Sequence, residues 1–271
     1  MAGVKVILSL DQGTTSSRAV LLDEKGRIVG SGQEEFPQLF PKPGWVEHDP
    51  EALWRSQSRS IEKAFAAAKL GWESVEAIGI TNQRETVVAW DAETGEAVGT
   101  AIVWQDRRTA GFCDELRDAG KEPWIQEKTG LLLDPYFSAG KMKWMLDNRP
   151  QAARLAEEGR LRFGTVDTWL VWKLSAGRAY VTDVSNASRT QLMDLRRCRW
   201  DEELRELYGI PGAALPDIVD SSGDLARSAP EVTGGSEVRI AGIAGDQQAA
   251  LFGQLCFQPG MVKSTYGTGC F

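Results

Sequence analysis

The stretch from Val4 to Phe36 constrains the fold more than any other part of the chain. Residues 4–10 are mostly apolar, residues 18–23 follow after a bend rich in Gly, Thr and Ser, and Asp23-Glu24-Lys25-Gly26 has hairpin-turn composition leading into residues 28–36. Strands joined this tightly must be antiparallel neighbours in one sheet. The pattern then changes. Asp49-Pro50 opens a helix, with Asp49 as N-cap and Pro50 at the first helical position. Leu53, Trp54, Ile61, Ala64, Phe65 and Ala68 give it an apolar face up to about Leu70. Residues 75–81 and 86–90 read as short buried strands. Further helices are predicted over 107–119, 138–148, 150–158, 167–174, 201–208 and 246–256, and strands over 163–166, 237–244 and 260–266. An antiparallel opening followed by alternation predicts an α/β fold with a mixed sheet flanked by helices. With no internal repeat and no linker-like break, 271 residues fit one domain better than two.

Charge and composition exclude several functions. Lys and Arg total 31 against 38 Asp and Glu, a net charge of −7, which argues against a nucleic-acid groove. The densest basic run, Arg196-Arg197-Cys198-Arg199, reads as a solvated turn. The single histidine, His48, excludes histidine-rich metal sites, and the four cysteines lack C-x-x-C spacing. The apolar N-terminal stretch is short, contains Lys5 and lacks a small-residue cleavage site, so it does not read as a signal peptide. No apolar run approaches the roughly 18–20 residues needed to span a bilayer. A reduced, soluble, cytoplasmic protein is the expectation.

Four polar stretches are candidates for chemistry. Asp11-Gln12-Gly13-Thr14-Thr15-Ser16-Ser17-Arg18 lies between two predicted strands. Its backbone N–H groups and hydroxyls suit phosphate oxygens, and Asp11 suits Mg²⁺, yet the spacing fits an ordinary hairpin loop equally well. Thr81-Asn82-Gln83-Arg84-Glu85-Thr86 ends a buried strand, where ligands gather in open α/β sheets; an exposed turn is the competing reading. Gly245-Asp246-Gln247-Gln248 joins strand to helix, and Asp246 is there either a helix cap or a proton acceptor for a substrate hydroxyl. Thr265-Tyr266-Gly267-Thr268-Gly269 is a second Gly/Thr turn, and two such turns suggest two walls around one phosphate chain. Neither a Walker-type loop nor a Rossmann fingerprint is present. The chain stops inside the second turn, which leads to the expectation of a truncated or split chain.

Taken together with Pro43-Gly44-Trp45-Val46-Glu47-His48-Asp49-Pro50, Trp104-Gln105-Asp106-Arg107-Arg108-Thr109 and Asp134-Pro135-Tyr136-Phe137-Ser138-Ala139-Gly140-Lys141, these stretches resemble the N-terminal half of the FGGY-type carbohydrate kinases. The resemblance covers essentially the whole chain and is greatest to the family's glycerol-phosphorylating members, with xylulose or gluconate as less fitting sugars. It implies an actin-like, ribonuclease-H-like fold and a substrate-binding domain over 1–271, the nucleotide-binding second half lying outside this chain. It implies ATP and Mg²⁺ as cofactors and glycerol as small-molecule partner, and leaves the oligomeric state open, a homo-oligomer included. Arg84, Glu85, Trp104, Tyr136, Asp246, Gln247 and Phe271 would bind substrate, with Asp246 as the base. Thr14, Thr15, Ser16, Arg18, Gly267 and Thr268 would contact ATP, and Asp11 would support the metal. His48 would be structural. Glu237 stands where regulated bacterial members carry an arginine for fructose 1,6-bisphosphate, so inhibition by that ligand is expected to be absent. A catalytically silent polyol-binding module is the alternative for the isolated chain.

Overall fold

The computed structural model describes residues 4–266 and 269–271. Its centre is a six-stranded mixed sheet ordered Ser222–Arg227, Arg239–Gly245, Val75–Asn82, β1 (Val6–Gln12), β2 (Ser16–Leu22) and β3 (Ile28–Glu35). The three opening strands pair antiparallel, as their turns require. β1, Val75–Asn82 and Arg239–Gly245 run parallel, with Asp11 opposite Thr81 and both Gln12 and Gly245 opposite Asn82. Three carboxyl-terminal strand ends are therefore level, the geometry that gathers ligands in open α/β sheets.

Helix α1 (Pro50–Ala68) crosses β2 and β3. Asp49 caps it by accepting the Glu51 N–H at 2.9 Å. The helix lies so close to the sheet that a Cβ on Gly32 would meet the Ser60 carbonyl oxygen and come within 2.6 Å of Lys63 Cβ. Leu8, Leu10, Leu21, Ile78 and Ile80 share a buried cluster with Leu53, Ile61 and Phe65 of α1 and Leu170 and Leu174 of the Val166–Leu174 helix. Each such side chain contributes roughly 1.5–3 kcal/mol on burial. A second cluster, including Val87, Ile102, Met142, Met145, Phe163 and Tyr208, underlies the helix Ser138–Asn148. Among the described residues no helix is long and apolar enough to cross a membrane.

Several predicted elements shift. Residues 260–266 form no strand; only an isolated bridge joins Tyr266 to Cys270, and no neighbouring strand pairs with this segment. The helix expected from 107 is Ala110–Asp118, since Asp106 accepts the Arg108 N–H and fixes a turn first. The strand expected at 163–166 is Leu161–Gly164, because Thr165 is already the cap of the next helix. The helix Glu122–Thr129, the edge strand Ser222–Arg227 and the parallel pair Val181–Asp183 and Asp217–Val219 are additions to the sequence reading.

Candidate active site

The level strand ends open into a cleft of about 530 Å³ that brings together Asp11, Thr14, Arg18, Arg84, Glu85, Trp104, Tyr136, Asp246, Gln247 and Phe271. With Thr265, Tyr266 and Gly269, which also line it, all four polar stretches singled out in the sequence meet here. Asp11 is one residue from the end of β1, Arg84 and Glu85 follow Val75–Asn82, and Asp246 follows Arg239–Gly245.

Arg84 is buried, and its Nε donates to Asp246 Oδ1 at 2.9 Å. Glu85 is buried with φ of 60°, a left-handed conformation uncommon for a non-glycine residue and concentrated at functional sites. The Thr86 N–H donates to the Arg84 carbonyl at 2.7 Å, and Ser138 Oγ donates to the Glu85 carbonyl at 3.2 Å, which hold the turn. Burial raises the Glu85 carboxyl above its usual range, opposed by the charges of Arg84, Arg189 and Lys141. Burial also raises Asp11, with Arg18 pulling down and the Asp246 charge pushing up.

Opposite this polar floor stands an aromatic wall. Trp104 packs edge-on against Tyr136 at 5.5 Å and Phe271 at 6.2 Å, and its indole N–H donates to Thr14 Oγ1 at 3.0 Å. Phe271 is held by paired backbone bonds with Thr265 at 2.7 and 2.9 Å. The loop carrying Trp104 is anchored by the buried Arg108, which bridges Asp106 and Glu47 at 2.7 Å each. Burial pushes the Tyr136 phenol up to about 12, so it remains a hydroxyl able to donate. Gln247 accepts from Lys263.

Two of the residues expected to contact ATP stand outside the cleft lining. Ser16 Oγ accepts from Gln33 Nε2 at 3.1 Å across β2 and β3, and Thr15 is exposed on the turn; neither lines the cleft. Thr15 belongs to the turn before β2, whereas Ser16 and Arg18, two residues apart, share a face of that strand, and the longer Arg18 reaches the rim and donates to Gln33 Oε1 at 3.1 Å. Gly267 and Thr268 lie outside the described residues. His48 is buried outside the cleft lining, bonded through Nε2 to Gln38 Oε1 at 2.6 Å, and burial pushes its imidazole down to about 4.

Sequence reasoning missed Arg189 and Lys141. Arg189 Nε donates to Glu85 Oε1 at 2.7 Å, and the fully buried Lys141 Nζ donates to the carbonyls of Pro135 and Phe137 at 2.9 and 3.0 Å and to that of Tyr136. Lys141 lay within a quoted stretch; a lysine at full burial needs carbonyl partners, but nothing local announces the burial. Among the described residues no three His, Cys, Asp or Glu side chains cluster to hold a metal by themselves.

Polar donors and acceptors on one face and aromatic rings on the other suit a small polyol, whose hydroxyls and carbon chain need different partners. Comparison with known proteins identifies the family. The profile of the FGGY family of carbohydrate kinases, N-terminal domain, matches residues 6–253. The chain is 58% identical to a glycerol kinase of Koribacter versatilis over 98% of its own length and 53% of that protein's. It is 55% identical to glycerol kinase 2 of Thermotoga maritima over 99% of this chain and 54% of the relative. The crystal structure of Plasmodium falciparum glycerol kinase with ADP superposes with a TM-score of 0.93 at 36% identity, covering 98% of this chain and 53% of that one. The chain thus spans about half the length of the curated relatives it matches.

Proposed function

The chain belongs to the FGGY family of carbohydrate kinases, with their actin-like fold, and we propose that it is the glycerol-binding half of an ATP-dependent kinase that makes sn-glycerol 3-phosphate. The observation that carries this reading is the convergence of Arg84, Glu85 and Asp246 beneath the Trp104–Tyr136–Phe271 wall. Arg84 offers donors, Glu85 an acceptor and Tyr136 a hydroxyl, so a triol pairs with all three while its carbons face the rings. A substrate lacking one hydroxyl leaves a buried charged group unpaired, which is the basis for rejecting it.

Asp246 faces the same space and accepts the proton of the attacking hydroxyl. Phosphoryl transfer has a loose transition state, so positioning and charge neutralisation dominate and a carboxylate of ordinary basicity suffices. Arg84, by pairing with Asp246, holds that carboxylate in its orientation. Thr14 and Arg18 lie at the rim on the side assigned to the phosphates. Mg²⁺ fits the donor set: it usually keeps waters and takes one or two carboxylates plus phosphate oxygens, and Asp11 is a largely buried carboxylate whose charge Asp246 disfavours. When bound, the ion neutralises charge on the transferring phosphoryl group. A cytoplasmic location is part of the same proposal, supported by the reaction's use of ATP.

Calorimetric titration with glycerol and a coupled ADP assay test the reading. The chain alone should bind glycerol and turn over none, while a protein carrying both halves should bind it and phosphorylate it. Glycerol found in a soaked crystal away from residues 84, 85 and 246 would overturn it. Glu237, which accepts from Arg227 at 3.4 Å, adds negative charge at the loop 233–237. Fructose 1,6-bisphosphate is therefore expected to leave activity unchanged, and tight binding of that ligand at this loop would contradict this.

A further inference from the structure

Arg189 has no part in the proposal above, yet it touches two of the groups the proposal uses. Its Nε donates to Glu85 Oε1 at 2.7 Å, and its guanidinium carbon lies 5.0 Å from the Phe137 ring centroid and 5.7 Å from that of Tyr136. The placement is built. Asp183 caps the short helix Val184–Ala187, the Arg189 N–H donates to the Asn186 carbonyl at 3.0 Å, and the Ala139 N–H donates to the Thr190 carbonyl at 2.9 Å. That last bond ties the turn to the helix that follows Tyr136 and Phe137.

The other cations facing Glu85 are committed elsewhere. Arg84 Nε is on Asp246, and the three N–H groups of Lys141 are matched by three backbone carbonyls. Burial pushes Lys141 down to about 7, while its three acceptors favour the ammonium, which alone has three donors. The Tyr136 phenol is uncharged and also faces Glu85. Among the described residues Arg189 is thus the one cation hydrogen-bonded to the Glu85 carboxyl. Arg189 is 24% exposed at its side chain and Glu85 1%, so the pair spans the boundary between solvent and the buried floor.

We propose that Arg189 is a positioning residue for polyol recognition, holding Glu85 as a carboxylate and bracing the Tyr136 ring without itself needing to touch the substrate. The proposal rests on the glycerol reading above. Its chemistry is simple: an ionised carboxyl only accepts hydrogen bonds, and opposite the donors of Arg84 an acceptor is what a hydroxyl requires. A protonated Glu85 would add a donor to a floor already rich in them. Because burial raises Glu85 and Arg189 lowers it, loss of Arg189 moves the titration upward, toward neutral pH.

Two variants and two readouts decide it. In the ligand-free chain, carbon-13 NMR follows the Glu85 carboxyl; in parallel, calorimetry measures glycerol affinity between about pH 6 and pH 9. Arg189→Met should raise the Glu85 midpoint by at least about one pH unit and weaken glycerol about tenfold or more at the acid end, with recovery toward the alkaline end. Arg189→Lys, which retains the charge, should keep affinity within about threefold of native, because only the Nε hydrogen-bond geometry and the guanidinium's contact with the two rings are lost. An unmoved Glu85 midpoint in Arg189→Met, even with weakened but pH-independent binding, overturns the proposal. A native chain that binds no glycerol sinks the glycerol reading instead, and the Glu85 titration still decides whether Arg189 sets its charge.

Discussion

Replacing Gly245 by alanine tests the site through one methyl group. Gly245 has φ of −57° and ψ of 148°, which any residue adopts, so space alone decides the outcome. A Cβ there would lie 2.5 Å from Arg84 Cδ, 2.7 Å from Arg84 Cγ and 2.9 Å from Gln248 Oε1. Those are middle atoms of a buried arginine whose Nε is fixed to Asp246 at 2.9 Å. They cannot move without carrying the guanidinium with them. Overpacking of this kind costs about 1–3 kcal/mol of stability. Displacing the guanidinium removes a hydrogen bond to a charged group, about 1.5–3 kcal/mol. Glycerol affinity should therefore fall roughly ten- to hundredfold, at about 1.4 kcal/mol per factor of ten. Gly242, on the same strand, is the control: the nearest atoms to its added Cβ are 3.9 Å away. Calorimetric titration with glycerol, alongside thermal melts, should show Gly242→Ala close to native and Gly245→Ala weakened. Equal affinity in the two variants would refute the steric argument and with it the placement of Arg84 in the substrate floor.

Other perturbations read different parts of the structure. Asp246→Asn, assayed by ADP release in a protein carrying both halves, should lower turnover by about 10²–10⁴-fold with glycerol binding largely kept; an active variant would remove Asp246 from the role of base. Gly32→Ala drives a methyl into the backbone of α1 at Ser60 and Ala64, which has no flexible tip to yield. The expected loss is about 3 kcal/mol, or roughly 6–12 °C in melting temperature, and a calorimetric scan within a degree of native would contradict it. His48 titrates near 4 when folded and 6.5 in its ordinary state, so between those values the unfolded chain binds more protons. Its contribution is fully present above about pH 6.5 and drains away as pH falls toward 4, by about 3 kcal/mol. Urea titrations across that window should show a shallower pH dependence in His48→Gln; an unchanged slope would mean the histidine is not held neutral.

The polar floor of the cleft was legible in the sequence because its main groups, Asp11, Arg84, Glu85 and Asp246, lie within three residues of the end of an apolar strand. Arg84, Glu85 and Asp246 announce themselves as polar residues where a buried run ends, and parallel pairing then brings those ends level. The three opening strands and the Asp49 cap were legible for the same reason: hairpins and caps are local, fixed by neighbours in sequence. Residues 260–266 were misread because strand propensity describes a residue's fit to a sheet and says nothing of whether a partner strand exists. Thr15 and Ser16 stand on the turn before β2 and at its first residue, outside the cleft lining, and spacing alone does not say which hydroxyls of such a turn face inward. Arg189 was invisible for a deeper reason. It meets Glu85 across 104 positions, a separation that leaves no periodicity. The effect of that meeting also depends on burial, since the same pair on an open surface would contribute little. Sequence therefore disclosed which groups could contact a polyol, while the charge on the acceptor among them is decided by a side chain delivered from another element. That division explains why a variant such as Arg189→Met is more informative than another substitution within the motifs: it changes the state of the site and leaves every motif residue in place.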